Sequence, residues 1–284
     1  MEVFHLVSDT RQWVAGKRTM GKTIGFVPTM GALHEGHLNL VSRAARENDL
    51  SSCSIFVNPI QFNNPEDLAK YPRTLDNDLI LLEKAGCELV FVPSAEEMYP
   101  EPVTKKFDFG PLERVMEGAH RPGHFNGVAI VVERLFNIIG PDRAYFGEKD
   151  FQQLRIIQSL VKMEGIPVEI VPCPIVRESD GLAMSSRNRR LSPDERRVAP
   201  WIYKTLLFAR EHAGKILVPE LKKICTAMLE DKSFRVDYFE IAEPLGLQPI
   251  ATWQETTAAM AFVAAFLGSV RLIDNMNLFA NFAR

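Results

Sequence analysis

The sequence has few cysteines, no long apolar run and no large excess of charge of either sign. Its 284 residues include only four cysteines, which are scattered without a Cys-x-x-Cys pair, so we expect buried, reduced thiols. No apolar run reaches the roughly 18 residues that a membrane-spanning helix needs. The first five residues show no basic stretch leading into an apolar one, so there is no signal-peptide pattern. These absences predict a cytoplasmic protein with no membrane partner.

The charge balance excludes a second group of functions. The formal net charge is −3, which provides no general attraction to nucleic acid, so we expect no nucleic-acid partner. Any anion must then be bound by a local cluster of side chains. Hydrophobic residues at 46% and charged residues at 24% are ordinary for a globular protein. The length exceeds the commonest domain size and predicts two unequal domains.

Strand-like runs alternate with helical patterns over the first 175 or so residues, which predicts an α/β domain with a doubly wound parallel sheet. The predicted strands are 23–28, 51–57, 89–92, 143–146 and 168–172, and the predicted helices are 38–48, 76–85, 128–139 and 151–164. Gly86, Gly140 and Gly165 are placed to end three of these helices. Beyond residue 177 the pattern changes to helices at 193–212 and 219–231, followed by strands at 236–241, 258–266 and 269–273. This change predicts a smaller α+β C-terminal domain, with a boundary between residues 175 and 176.

The most informative segment follows the first predicted strand and reads Thr-Met-Gly-Ala-Leu-His-Glu-Gly-His over residues 29–37. A junction of strand and helix exposes backbone N–H groups and the positive end of a helix dipole, which favours phosphate. Gly31 and Gly36 allow close approach, and His34 and His37, three residues apart, share one face of a helix. On the spacing alone, a phosphate site and the alternative of a helix cap or a structural metal site are about equally well supported.

A second segment repeats this geometry with a lysine. Gly147, Glu148, Lys149 and Asp150 follow a predicted strand and precede a helix. Taken alone, such a short motif is more often a surface turn with a helix cap, and it lacks the full P-loop pattern.

A third segment, Met184-Ser185-Ser186-Arg187 followed by asparagine, lies at the expected join between the domains. Its hydroxyl groups and guanidinium are suited to bind phosphate, although the same residues also suit a flexible surface loop.

Polar groups beside apolar ones suggest where a small substrate binds. Gln61 lies in Asn58-Pro59-Ile60-Gln61-Phe62 at the end of the second predicted strand, a mixture that suits a polar molecule with an aliphatic centre. Gln153, one helical turn beyond Lys149 and Asp150, is expected to point to the same side as that loop. The segment 121–127 either closes over a ligand or connects two elements. Asp78 belongs to a group of acids explained in large part by helix capping, with metal binding as a weaker alternative.

Taken in order, these motifs closely resemble the pantothenate synthetase family, also called pantoate–β-alanine ligases. The matching segments, which span nearly the whole chain, are 28–31, 34–37, 58–62, 71–74, 121–125, 147–153, 185–188 and 271–275. The resemblance implies a Rossmann-like nucleotidyltransferase domain with a His-x-Gly-His signature, residues 1–175, and a C-terminal domain, residues 176–284, that closes over the ATP site. It implies ATP-dependent condensation of (R)-pantoate with β-alanine through a pantoyl-adenylate, giving pantothenate, AMP and pyrophosphate.

The resemblance also implies roles for individual residues. His37, His34, Lys149 and Arg187 would act on the reacting phosphates, with His37 as the proton donor. Gln61 and Gln153 would bind pantoate, and Mg²⁺ would accompany ATP. The residues implied to contact ATP are Met30, Gly31, Ala32, Leu33, His34, Glu35, Gly36, His37, Gly147, Glu148, Lys149, Asp150, Val176, Met184, Ser185, Ser186 and Arg187. Because Asn77 stands where relatives can carry a third acid, no protein side chain is assigned to the metal. The family is commonly dimeric, so a homodimer is expected.

Three other functions compete with this interpretation. A nucleotidyltransferase that uses a phosphorylated acceptor would need more cationic groups than Gln61 and Gln153 provide. An RNA-binding relative of class I aminoacyl-tRNA synthetases would need a basic stripe in the small domain. A catalytically inactive nucleotide sensor would not be expected to retain both histidines, Lys149 and Arg187.

Overall fold

The computed structural model describes residues 1–63, 65–69 and 71–279, and they form two compact units. The first comprises Met1–Glu113, Gly118–Glu148 and Gln153–Pro174, and the second comprises Arg114–Glu117, Lys149–Gln152 and the chain from Ile175 onward. The sequence-based boundary assigned residues 114–117 and 149–152 to the first domain, whereas the structure groups both segments with the second unit. Residues 280–284 of the expected second domain lie outside the described part of the chain.

The first unit is built on a six-stranded sheet in which every neighbouring pair of strands is parallel. The strand order is β1-β4-β3-β2-β5-β6. The strands are β1 (Glu2–Phe4), β2 (Ile24–Thr29), β3 (Leu50–Ile55), β4 (Leu89–Phe91), β5 (Arg143–Gly147) and β6 (Glu169–Cys173). Both β2 and β3 are buried along almost their whole length, as expected for strands covered by helices on both faces. The predicted parallel sheet is therefore confirmed.

The helices described before residue 175 are α1 (Val7–Arg18), α2 (Glu35–Glu47), α3 (Pro65–Ala69), α4 (Leu75–Lys84), α5 (Ala95–Met98), α6 (Met116–His120), α7 (His124–Ile139) and α8 (Phe151–Glu164). Most residues of α7 are buried, because its sequence is apolar nearly all round. Gly140 follows α7 in the left-handed conformation, with its N–H bonded to the carbonyl of Phe136. Gly86 and Gly165 also have positive φ angles after α4 and α8, so the predicted helix ends are confirmed.

The order of the strands reverses at β2. From β2 the chain proceeds through β3 to β4 on one side, and β5 and β6 lie on the other. Open α/β sheets bind ligands at the carboxyl ends of the strands beside such a reversal. Thr29 ends β2 and Gly147 ends β5, so two of the motifs identified in the sequence begin at this position.

The second unit contains an antiparallel sheet in the order β7-β8-β9. Its elements are α9 (Pro193–Val198), α10 (Trp201–His212), α11 (Val218–Glu230), β7 (Arg235–Ala242), β8 (Met260–Leu267) and β9 (Val270–Asn277). One hydrophobic cluster joins the helices to the sheet, with Leu206, Leu221 and Ile241 among its fully buried side chains. This is the predicted smaller α+β fold.

The sequence-based prediction differs from the structure in several elements, and it contains none of the helices α1, α3, α5 and α6. It missed β1, whose three residues are too few for a periodic pattern and which pairs with β4 at the sheet edge. It predicted one helix over 193–212, where the structure has α9 and α10, because Pro200 lacks an N–H and breaks the hydrogen-bond ladder. The sequence pattern places the start of the helix after β2 at residue 38, whereas α2 begins three residues earlier, at Glu35.

Candidate functional site

The loop between β2 and α2 is shaped by the carboxylate of Asp78. This side chain is only 1% exposed. Its Oδ2 accepts the N–H of Ala32 and its Oδ1 accepts the N–H of Leu33, both at 2.9 Å. The hydroxyl of Thr74 donates to Oδ2 at 3.1 Å. Both oxygens are thus engaged in holding the loop, an arrangement that explains Asp78 without a bound metal ion.

Gly31 turns the chain at the start of this loop. Its φ angle is +77°, and a Cβ here would lie 3.1 Å from Oδ2 of Asp78. Its N–H donates to the hydroxyl of Thr29, which itself donates to the carbonyl of Ser54. The sequence reading explained Gly31 by the approach of a phosphate. The structure shows that backbone conformation and the neighbouring carboxylate already require glycine.

Both signature histidines take part in the N-terminal cap of α2. His34 is the N-cap residue in extended conformation, and its Nδ1 accepts the N–H of Gly36 at 3.2 Å. The N–H of His34 donates in turn to Nδ1 of His37 at 3.4 Å. The ring centroids are 4.1 Å apart. His34 precedes the first turn of α2, yet its ring lies beside that of His37, so the two side chains share one side of the helix start. The structure contains the helix cap that the alternative interpretation of the spacing describes.

This reciprocal cap has two chemical consequences. A ring whose Nδ1 accepts an N–H carries the proton of its neutral form on Nε2, so each imidazole can present a donor from that atom. The N–H groups of residues 31–34 and 36 all bond to side chains of the protein, two of them to Asp78 of α4. The sequence reading expected unpaired N–H groups here. An anion at this junction must instead be bound chiefly by side chains and the helix dipole.

Gln61 follows β3 in a short 3₁₀ helix, Pro59–Gln61. Its side-chain amide donates to the sulfur of Met30 at 3.3 Å and accepts from the amide of Asn58 at 3.1 Å. Gln61 is 8% exposed. Met30 belongs to the loop that carries the histidines. Gln61, the residue expected to bind the small substrate, therefore lies against that loop.

Several residues that the sequence reading did not assign hold Gln61 in place. His124 Nδ1 bonds to the carbonyl of Gln61 at 2.9 Å. A Cβ on Gly127 would lie 2.8 Å from the Cα of Gln61, so only glycine fits. Tyr99 donates to Asn58 at 2.8 Å, and burial raises the pKa of its hydroxyl. Two of these contacts, those of His124 and Gly127, come from the segment 121–127, and they favour its role as a connection that supports Gln61.

Gln153 is half-buried in α8, and its side chain makes no hydrogen bond to another of the described residues. The expectation that Gln153 points to the same side as the loop of Gln61 stays a prediction. The preceding Gln152 is buried and accepts the N–H of Glu117. The two glutamines, identical in the sequence pattern, have different surroundings in the structure.

In the second unit, Lys149 lies in the turn Glu148–Asp150 that precedes α8. Its ammonium is 3.7 Å from the carboxylate of Asp150. The carbonyl of Lys149 accepts a hydrogen bond from the side chain of Asn275 at 3.0 Å. The turn is therefore attached to β9, although the sequence gave no reason to connect residues so far apart.

The third motif is ordered by bonds within its own segment. Met184 donates its N–H to the carbonyl of Val176 at 3.0 Å, which brings these two expected nucleotide contacts together. Ser185 accepts the N–H of Arg187 and caps the 3₁₀ helix Ser186–Arg190. Residues 176–184 thus form a turn that leads into a short helix carrying three arginines.

The sequence reading gave no role to Arg177 or Asp274. Asp274 is almost completely buried and binds the guanidinium of Arg177 through two contacts, at 2.6 and 3.0 Å. Burial raises the pKa of the Asp274 carboxyl, and the bond to Arg177 opposes that rise. The only earlier signal was the presence of Asp274 in the segment 271–275, which belongs to the family resemblance.

No group of three or more His, Cys, Asp or Glu side chains that could hold a metal ion occurs among the described residues. In the same part of the chain, no helix is both long and apolar enough to cross a membrane. The four cysteines are buried free thiols, as the sequence predicted.

The class of protein follows from three features. The strand order of the parallel sheet reverses at β2, a His-x-Gly-His loop follows β2, and a turn that contains Lys149 follows the neighbouring strand β5. Together they define a nucleotide-binding α/β enzyme. Comparisons with known proteins specify the family. Residues 2–277 match the family described as pantoate-beta-alanine ligase. The chain belongs to this family and is a ligase of that class.

Curated relatives and solved structures agree with this assignment. The chain is 51% identical to the pantothenate synthetase of Bacteroides thetaiotaomicron over 97% of its own length and 98% of the relative's. A crystal structure of pantoate–β-alanine ligase from Thermus thermophilus matches with a TM-score of 0.92 and 46% identity, covering 98% of this chain and 100% of that one. The Francisella tularensis ligase, solved in complex with "Beta-gamma ATP" and β-alanine, matches at 0.82 and 34% identity, covering 98% of each chain.

Proposed function

We propose that this enzyme forms pantothenate in two steps at the carboxyl edge of the parallel sheet. In the first, a carboxylate oxygen of (R)-pantoate attacks the α-phosphorus of ATP, the bond from that phosphorus to the bridging oxygen breaks, and pyrophosphate leaves. In the second, the amine of β-alanine attacks the acyl carbon of the pantoyl-adenylate. The bond to AMP breaks, and the nitrogen loses its proton.

The contact between Gln61 and Met30 is the observation that carries this proposal. Adenylation requires the acceptor carboxylate to lie beside the α-phosphate. Gln61, the residue assigned to pantoate, donates to Met30 at 3.3 Å, and Met30 lies four residues before the first signature histidine. The acceptor position and the phosphate loop are thus neighbours in one unit, which supports transfer from one to the other.

His34 and His37 stabilise charge on the α-phosphate in this proposal. Both rings carry their neutral proton on Nε2 because Nδ1 accepts a backbone N–H. A donor directed at a phosphate oxygen stabilises the charge that develops as the bond to pyrophosphate breaks. The positive end of α2 acts in the same direction. His37 is assigned the larger part, as the resemblance implies.

The remaining ATP contacts are assigned by family position. Lys149 and Arg187 neutralise the departing pyrophosphate, with hydroxyl donors from Ser185 and Ser186. Main-chain and apolar contacts complete the nucleotide site, from Met30, Gly31, Ala32, Leu33, Glu35, Gly36, Gly147, Glu148, Asp150, Val176 and Met184. The half-buried amide of Gln153 is assigned, with Gln61, to pantoate.

Magnesium enters as part of the substrate, Mg·ATP. Mg²⁺ retains much of its water and is commonly bound through substrate phosphates and one or two carboxylates. The engagement of both oxygens of Asp78 with the loop supports phosphate oxygens and water as the ligands of Mg²⁺.

A cytoplasmic location, where ATP is available, and a homodimer are also part of the proposal. Light scattering at micromolar protein concentration tests the dimer.

The experiment is to measure AMP, pyrophosphate and pantothenate from Mg·ATP and pantoate, with and without β-alanine. We expect sustained release of AMP and pantothenate in equal amounts only when both acceptor substrates are present. Release of pyrophosphate without any amide product would support the adenylation step but would exclude β-alanine as the substrate of the second step. No product from folded protein would reject the proposal.

Variants connect this reaction to the assigned residues. Lys149→Ala should lower the rate of pyrophosphate release by orders of magnitude, whereas Lys84→Ala, at an exposed position in α4, should not change it. Gln61→Ala should raise the KM for pantoate more than that for ATP, with Gln12→Ala, exposed in α1, as its control. Unchanged pantoate kinetics in Gln61→Ala would remove Gln61 from the site.

A further inference from the structure

One strand of the second unit bonds to three separate segments of the chain. Arg271, Asp274 and Asn275 all lie on β9. Arg271 forms two hydrogen bonds to the carboxylate of Glu117, at 2.8 and 2.7 Å. Asp274 binds Arg177, and Asn275 binds the carbonyl of Lys149. The strand therefore fixes residues that are more than 90 positions away in the sequence.

The bond from Asn275 to Lys149 is buried and oriented. Asn275 is 4% exposed, and its side-chain amide donates to the Lys149 carbonyl at 3.0 Å. The backbone N–H of Asn275 donates to Oδ1 of Asp274 at 2.8 Å. Since Asp274 is itself held by Arg177, the position of the Asn275 backbone is fixed on one side by a buried ion pair.

The turn that contains Lys149 is also held at its other end. The side chain of Gln152 accepts the N–H of Glu117 at 3.0 Å and donates to the carbonyl of Val115 at 2.9 Å. The ring of Phe151 packs against Phe262, with centroids 5.8 Å apart. Residues 149–152 are thus attached to the second unit at each end.

We propose that Asn275 is a positioning residue for Lys149 in the adenylation step. The inference rests on the role of Lys149 proposed above. A lysine side chain is long and has many rotamers, so the point where its main chain is fixed determines which positions the ammonium can reach. A displacement of about 1 Å in a reacting group can lower a rate about a hundredfold. Asn275 touches no reacting atom in this account and acts only through Lys149.

A double-mutant cycle on Asn275→Ala and Lys149→Ala tests the inference. The measurement is the single-turnover rate of pyrophosphate release from Mg·ATP and pantoate, together with the KM values of both substrates. If Asn275 acts through Lys149, Asn275→Ala should lower the rate about 10- to 100-fold in the native background but less than about 2-fold when Lys149 is already alanine. The KM for pantoate should not change.

Two further variants separate positioning from stability. Asn277→Ala, on the same strand, removes a side chain whose bond is to the N–H of Phe279, and it should retain the native rate. Asn275→Ser retains a donor and should give a rate between those of Asn275→Ala and the native enzyme. If Asn275→Ala proves too unstable to assay, the cycle is run with Asn275→Ser, and a rate loss that persists with alanine at position 149 overturns the inference.

The failures of the two proposals are distinguishable. If native protein releases no pyrophosphate from ATP and pantoate, the proposed function is wrong. If Lys149→Ala retains the native rate, the role of Lys149 and this inference both fail while the proposed reaction survives. If Lys149→Ala is impaired and Asn275→Ala lowers the rate by the same factor with lysine or alanine at position 149, the two residues act independently. The inference alone is then overturned.

Discussion

The carboxylate of Asp78 lies directly beside Gly31: a Cβ on Gly31 would approach Oδ2 of Asp78 to 3.1 Å, and the same carboxylate bonds to the two residues that follow Gly31. An acid from α4 therefore determines the shape of the loop in which the signature histidines lie. In this protein the carboxylate has a structural partner on each oxygen.

Replacing Asp78 should destabilise the fold and lower adenylation together. Asp78→Ala leaves two buried N–H groups without their acceptor, and each such loss costs about 1–3 kcal/mol. Denaturant unfolding measures the change, with Asp76→Ala as the control from the same helix. If stability is unchanged and added Mg²⁺ restores the activity of Asp78→Ala, Asp78 is a metal ligand and the loop interpretation is wrong.

Two amide replacements separate the capping role of His37 from its chemistry. Asn places its oxygen near the position of Nδ1, whereas Gln places its polar atoms near that of Nε2. His37→Asn should therefore retain the cap on His34 and melt near the native temperature, but lose adenylation by orders of magnitude. His37→Gln should retain more activity. The reverse order of activities would show that His37 serves the loop alone. His5→Ala, on the exposed surface, is the control.

Loss of the Tyr99 hydroxyl should raise the KM for pantoate but not the KM for ATP. Tyr99→Phe removes the donor to Asn58, which in turn bonds to Gln61. We expect a several-fold rise in the KM for pantoate and a loss of about 1 kcal/mol of stability. Steady-state kinetics with each substrate varied in turn provide the test. An equal rise in the KM for ATP would indicate general loosening of the unit.

The native thiols should not react with a disulfide reagent at pH 8. Burial raises the pKa of Cys87 and Cys225 to about 12, and it also raises the pKa of Cys53 and Cys173. Because the thiolate is the reactive form, all four groups stay protonated and inert. Colour released from the reagent measures this directly. Protein unfolded in urea should release four equivalents, and rapid reaction of any native thiol would contradict the prediction.

The link between the starts of β2 and β3 should weaken in acid. Asp49 accepts the N–H and the hydroxyl of Thr23, which with Lys22 lower its pKa to about 2. A lowered pKa stabilises the folded state above about pH 4, and that contribution disappears as the pH falls through about 2. The stability difference between native protein and Asp49→Asn should therefore narrow between about pH 5 and pH 2.5 in denaturant titrations. A difference independent of pH would exclude this role.

The fold was largely predictable because its signals are local. Alternating apolar runs and the glycines after α4, α7 and α8 depend on neighbouring residues, and the structure confirms them. The roles of Asp78 and Asn275 depend on partners 45 and 126 positions away, and a single sequence shows no such pairing. His34 illustrates an intermediate case. Its spacing to His37 was informative, but the extended conformation of an N-cap residue altered what the spacing meant.

The assignment of residues 114–117 and 149–152 to the second unit means that no single cut of the polypeptide separates the two units. A fragment ending at Pro174 would keep the carboxylate of Glu117 without the guanidinium of Arg271, and a fragment starting at Ile175 would keep Arg271 without Glu117. Each fragment would leave one charged side chain of this partly buried ion pair without its partner. Neither half is therefore suited to separate expression, and the small unit becomes complete only after the chain of the large one has been synthesised.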